Sequence, residues 1–81
     1  MTTTVNHVFG QTLRKLRTAR RITQDSLAYT AGLDRTFISL LELGQRGPSL
    51  TTMLALCRGL EISLTDMAAA IDAAMGSSDG D

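Results

Sequence analysis

The chain has 81 residues, 43% of them hydrophobic and 20% charged, which fits one globular domain and excludes a disordered chain. No stretch comes near the roughly 20 mostly apolar residues that a membrane-spanning helix needs. The formal net charge is zero, but seven basic residues against three acidic ones lie in 1–48, and Arg58 alone faces five acids in 49–81.

Taken in order, the hydrophobic spacing predicts five helices and no strand, an all-α fold, because no segment alternates apolar and polar residues. The first helix is expected from about Asn6 to Arg20, with Phe9, Leu13 and Leu16 on one face and Arg14, Lys15 and Arg17 largely elsewhere. Thr23 is a suitable N-cap for a second helix, Gln24 to about Ala31, with Asp25 in its first turn and Leu27, Ala28 and Ala31 as its buried stripe. Gly32 stands where a helix end favours left-handed backbone. Asp34 is placed to cap a third helix to about Leu43, whose inward residues are Ile38, Leu41 and, in one reading, Phe37. Gly44 closes it, and a loop follows through Pro48. Ser49 caps a fourth helix to about Leu60, with Leu50, Met53, Leu56, Cys57 and Leu60 at helical spacing. Ser63 and Asp66 resemble a capping box for a fifth helix, which carries Leu64, Met67, Ile71 and Met75 beside an alanine-rich flank. One domain over 1–75 is expected, then a flexible acidic tail over 76–81.

The segment from Gln24 to Leu43 is two short helices joined by a tight turn at Gly32 to Asp34. Such a pair is a helix-turn-helix when its helices cross steeply, leaving the second exposed along its outer face. An exposed helix has the width to enter the DNA major groove. An ordinary helical hairpin in a small bundle has the same outline. The segregated charge is open in the same way: it suits a polyanion on one face, and it also suits a solvated basic helix.

Residues Phe9 to Met67 resemble the phage-repressor and Cro type of helix-turn-helix protein, the XRE family. The matching residues are Leu13-Arg14-Lys15-Leu16-Arg17, Thr23-Gln24, Leu27-Ala28, Ala31-Gly32-Leu33, Ile38-Ser39, Leu41-Glu42, Gly44, Pro48-Ser49-Leu50 and Leu60. Within that family, Leu33 to Ser39 looks most like the controller proteins of restriction–modification systems. The resemblance implies a short phage-repressor-like DNA-binding domain that regulates transcription as a homodimer on double-stranded DNA without a cofactor, and the lone Cys57 separately fits a reducing, cytoplasmic setting. RNA polymerase is the further partner such a regulator would meet.

The resemblance also assigns roles to residues. Gln24 matches a position where side chain and backbone N–H meet a phosphate at a helix N-terminus. Arg35 and Thr36 match the start of the recognition helix, where Arg35 would give guanine a bidentate contact. Ser39 and Leu40 lie about one turn on and face the same groove, with Leu40 suited to a thymine methyl. Phe37 stands where controller-like proteins often carry Tyr, so it is either a groove contact without a hydroxyl or a core aromatic. Arg46 suits a phosphate at the groove's edge. Arg17 and Glu42 match a family ion pair between first and third helices, which makes Arg17 structural first and a phosphate ligand second. Arg14, Lys15, Arg20 and Arg21 are either backbone contacts or solvated charges.

An enzyme has little to work with here. Asp25 and Asp34 sit where helix starts favour acids, and His7 and Ser39 belong to no base-plus-orienter pattern. Cys57 falls on an apolar stripe and reads as an inert thiol. A lone cysteine can neither form an internal disulfide nor build a multi-cysteine zinc site, and the first eight residues lack the charge and apolar run of a secretory signal. The rival from another class is a protein-interaction or antitoxin-like module on the same fold, and it draws on the zero net charge. Four helices leave Leu54, Ile71 or Met75 of the chain partly exposed, which points to self-association through that patch.

Overall fold

The computed structural model describes residues 2–79 as five helices: α1 (Thr2–Ala19), α2 (Gln24–Ala31), α3 (Arg35–Glu42), α4 (Leu50–Leu60) and α5 (Leu64–Asp79). No strand occurs among the described residues. The first helix begins at Thr2 rather than Asn6. It closes through bonds from Arg20 and Ile22 N–H to the Arg17 carbonyl, with Arg21 in left-handed backbone at φ 59°. The boundary expected between 75 and 76 falls inside α5, and the last two residues of the expected tail lie outside the described residues.

Caps set most of the boundaries. The Thr23 side chain accepts from Ser26 N–H at 3.0 Å, Ser49 from Thr52 N–H at 3.1 Å and Ser63 from Asp66 N–H at 2.9 Å. Each satisfies a first-turn donor that would otherwise lack a partner. Asp34 departs from expectation: it occupies the N-cap position in extended backbone, yet its side chain caps nothing. Gly32, at φ 70°, turns the chain out of α2 while Leu33 N–H reaches back to the Ala28 carbonyl. At the end of α4 the same left-handed turn is made by Glu61, a residue with a side chain, at φ 60°.

The helices pack as α1 on α3 and α5, α2 on α3 and α4, and α4 on α5. Phe9, Leu13, Leu27, Ala28, Ala31, Ile38, Leu41, Leu56, Cys57, Leu60 and Met67 form one buried core fed by all five helices. Leu50, expected on the buried stripe of α4, is instead 62% exposed, because it heads the helix where no neighbour covers it. Gly10 lets α1 touch α3: a Cβ there would lie 2.3 Å from the Leu41 carbonyl oxygen and 2.7 Å from that of Glu42. The two helices therefore meet backbone to backbone, which fixes the height at which α3 stands on the molecule.

Candidate nucleic-acid interface

The Gly32–Asp34 turn sets α3 against α2, burying Ile38, Leu41 and Glu42 and leaving Arg35 and Thr36 exposed at its start. Ser39 and Leu40, one turn on, are half-buried. The helix is amphipathic, so the pattern that buries Ile38 and Leu41 also dictates which residues face outward.

Behind α3 lies a polar cluster centred on Glu42. Arg17 donates from Nε to Glu42 Oε2 at 2.6 Å and from Nη2 to Oε1 at 3.0 Å, and its Nη1 donates to the Ile22 carbonyl at 2.9 Å. Gln24 Nε2 donates to Glu42 Oε1 at 3.0 Å. The side chains of Arg17 and Glu42 are only 12% and 4% exposed, so water screens the pair little. The Glu42 hydrogen bond raises the Arg17 pKa further above its ordinary value, against a smaller opposing effect of burial. This cluster ties α1, α2 and α3 together and turns all three guanidinium nitrogens of Arg17 inward, away from any phosphate.

Of the exposed arginines, Arg35 and Arg46 each stand beside a side chain that can orient them. Arg35 Nε lies 3.1 Å from Asp25 Oδ1, an ion pair across the turn whose side chains are 56% and 78% exposed. The Arg46 guanidinium stands 5.6 Å from the centre of the Phe37 ring, within cation–π range. Phe37 packs against the core with one part of its surface, as one of its two sequence readings expects, and lies under Arg46 with another, a contact that neither reading named.

The remaining basic candidates separate by helix face. Arg14 lies four residues after Gly10 and three before Arg17, both of which meet α3, and it is exposed. Lys15 is exposed too, but it lines a groove between α1 and α5 with Val8, Thr12, Ala70 and Ala73. Sequence reasoning missed Asp25 as a partner of Arg35, because an acid in a first helical turn already had a sufficient reason to be there. It also missed Tyr29, 90% exposed on α2, and Leu43, exposed where α3 ends.

Away from this face, Leu54 is 48% exposed on α4, while Ile71 and Met75 are half-buried on α5. Cys57 is buried with its sulfur 3.7 Å from that of Met67, and burial first, then the charge of Asp66, pushes the thiol pKa up. It is therefore protonated at neutral pH and a poor nucleophile. Among the described residues no three His, Cys, Asp or Glu side chains gather as metal ligands would, and no helix is long and apolar enough to cross a membrane.

A helix-turn-helix domain family matches residues 8–70. The chain is 38% identical over 60 residues to control protein C.MunI of Mycoplasma sp, covering 73% of this chain and 81% of that protein. It superposes with TM-score 0.74 and 42% identity on the restriction-modification controller protein C.AhdI of Aeromonas hydrophila, over 76% of this chain and 94% of that one. With C.Esp1396I bound to a 19 base pair DNA duplex the TM-score is 0.82 and the identity 27%, over 88% and 95% of the two chains.

Proposed function

The chain belongs to the helix-turn-helix family, within the phage-repressor and Cro branch that holds the restriction–modification controllers, and we propose on that basis that it regulates transcription as a sequence-specific homodimer on DNA. The observation that carries this reading is the outward face of α3, where Arg35 and Thr36 stand free of the core on a helix held against α1 at Gly10 and Glu42. Arg35 reads guanine, with Thr36, Ser39 and Leu40 along the same groove. Arg46, held over Phe37, and Arg14 meet phosphates at its edges, as does the N-terminus of α2 at Gln24 through its backbone N–H. Arg17 serves the interface through Glu42 rather than by touching DNA.

The dimer forms through Leu54, Ile71 and Met75, on elements other than the recognition helix. It places two copies of α3 about 34 Å apart, one helical turn of DNA, on a near-palindromic operator. The binding is that of a cytoplasmic regulator working without a cofactor or catalysis, beside RNA polymerase at a promoter. Selection of bound sequences from a random duplex library, at about physiological salt, tests the proposal. Enrichment of an inverted repeat with half-sites one turn apart is the expected result. Weak, salt-sensitive binding with no enriched sequence would overturn it and favour a protein partner.

A further inference from the structure

We propose that Asp25 is a positioning residue for base readout: its carboxylate, in the first turn of α2, biases the orientation in which Arg35 meets the groove. The inference rests on the base-reading role of Arg35 given above. An exposed arginine has four rotatable bonds, whereas a bidentate fork to guanine requires one orientation of the guanidinium plane. Asp25 Oδ1 lies 3.1 Å from Arg35 Nε, the inner nitrogen, which leaves the two terminal nitrogens free to make the fork.

The backbone that carries the carboxylate is held in place. Asp25 follows the Thr23 cap in the first turn of α2, and the Gly32 turn sets the distance between that turn and the first residue of α3. Its charge also acts on the alternatives open to Arg35. A guanidinium that swung to a neighbouring phosphate would leave its carboxylate partner, and the carboxylate would repel that phosphate. Both effects favour the base over the backbone. An exposed pair of this kind is weak, so Arg35 keeps the freedom to settle on DNA. Asp34 supplies the contrast: it adjoins Arg35 in the chain, yet it forms no ion pair among the described residues.

The test measures discrimination, because removing any acid near DNA raises affinity in general. Competition binding would set the selected operator duplex against the same duplex with the Arg35-dependent guanine replaced. The proteins are wild type, Asp25→Asn, Asp25→Glu, Asp34→Asn, and Arg35→Ala with and without Asp25→Asn. Asp25→Asn should lower the preference for guanine about two- to five-fold while binding to a random duplex tightens. Asp25→Glu should keep most of the preference, Asp34→Asn should tighten both duplexes alike, and Asp25→Asn should change nothing further in the Arg35→Ala protein. Equal tightening on both duplexes by Asp25→Asn, or the same loss of preference without Arg35, overturns the proposal. If wild type and Arg35→Ala already discriminate alike, the base-reading role itself falls, and that result is visible before Asp25 is touched.

Discussion

At Glu42 a carboxylate that is 4% exposed receives two nitrogens of Arg17 and the amide of Gln24, so three helices converge on one side chain. Replacing it by Ala leaves the Arg17 guanidinium nearly buried with only the Ile22 carbonyl as partner. The expected loss is about 3 kcal/mol, read as a fall in Tm of more than about 10 °C for a domain of this size. Glu42→Gln, which keeps an acceptor in place, should lose less. Because the Arg17 pKa is raised on folding, its contribution is fully present at neutral pH and is lost only as pH rises through that raised value in strong alkali. The outer arginines follow a different rule. Arg35 is exposed, so Arg35→Ala should leave Tm nearly unchanged, cost about 1–3 kcal/mol on the operator and relax specificity at one base position. Arg46→Ala should weaken operator and random DNA alike and reduce the salt slope by about 1. Titrations of both duplexes at several salt concentrations separate the two roles, and equal losses for Arg35→Ala on both duplexes would count against base reading.

The element whose placement matters most is α3, and two glycines govern it in different ways. Gly32 has open space where a Cβ would go but needs left-handed backbone at φ 70°, so Gly32→Ala should cost about 1 kcal/mol through backbone strain alone. Gly10 sits in ordinary helical backbone, yet its Cβ would lie 2.3 Å from a main-chain oxygen that cannot step aside without moving α3. Overpacking of about 1–3 kcal/mol there is offset by a helix propensity gain of up to about 1 kcal/mol, but the displacement of α3 remains. Urea unfolding should therefore show a midpoint loss for both variants, while operator binding by the folded protein should weaken much more for Gly10→Ala. Gly32 is legible in the sequence, because a glycine between two periodic segments announces a turn. Gly10 is not, since it looks like any glycine inside a helix until the partner backbone is known. The same divide runs through the rest of the molecule. Side-chain caps at Thr23, Ser49 and Ser63 are local and were legible, whereas the exposure of Leu50 and the Asp25–Arg35 pair depend on which helix ends beside which. The left-handed turns at Arg21 and Glu61 gave no signal either, since neither residue is one that favours that backbone.

For the whole molecule, charge and apolar exposure divide the chain between two tasks. The basic excess lies in 1–48, which holds α1, α2 and α3, and the acidic excess lies in 49–81, which holds α4 and α5. On the proposed reading a DNA duplex would be attracted to the first part and repelled by the second, which would set the orientation of approach before any base is read. A neutral protomer of this size gains little general affinity, and two protomers joined through their other elements would recover it by presenting both recognition helices at once. Leu54 tests this arrangement directly, since at 48% exposure on α4 it has little to do within its own protomer. Leu54→Lys should keep the helical content of the protomer while sedimentation reports a monomer, and its Tm should lose the concentration dependence that dimerisation gives the wild type. Binding to a full operator should then fall by about 100-fold or more, because the second half-site no longer benefits from the first. Binding to an isolated half-site should be unchanged, as α3 is untouched. A variant that stays dimeric and tight would place the interface elsewhere, with Tyr29 and Leu43 as the exposed side chains to examine next. A variant that becomes monomeric yet binds the operator as before would mean that one recognition helix suffices, and that the two-fold symmetry expected of the operator has no counterpart in how the protein binds it.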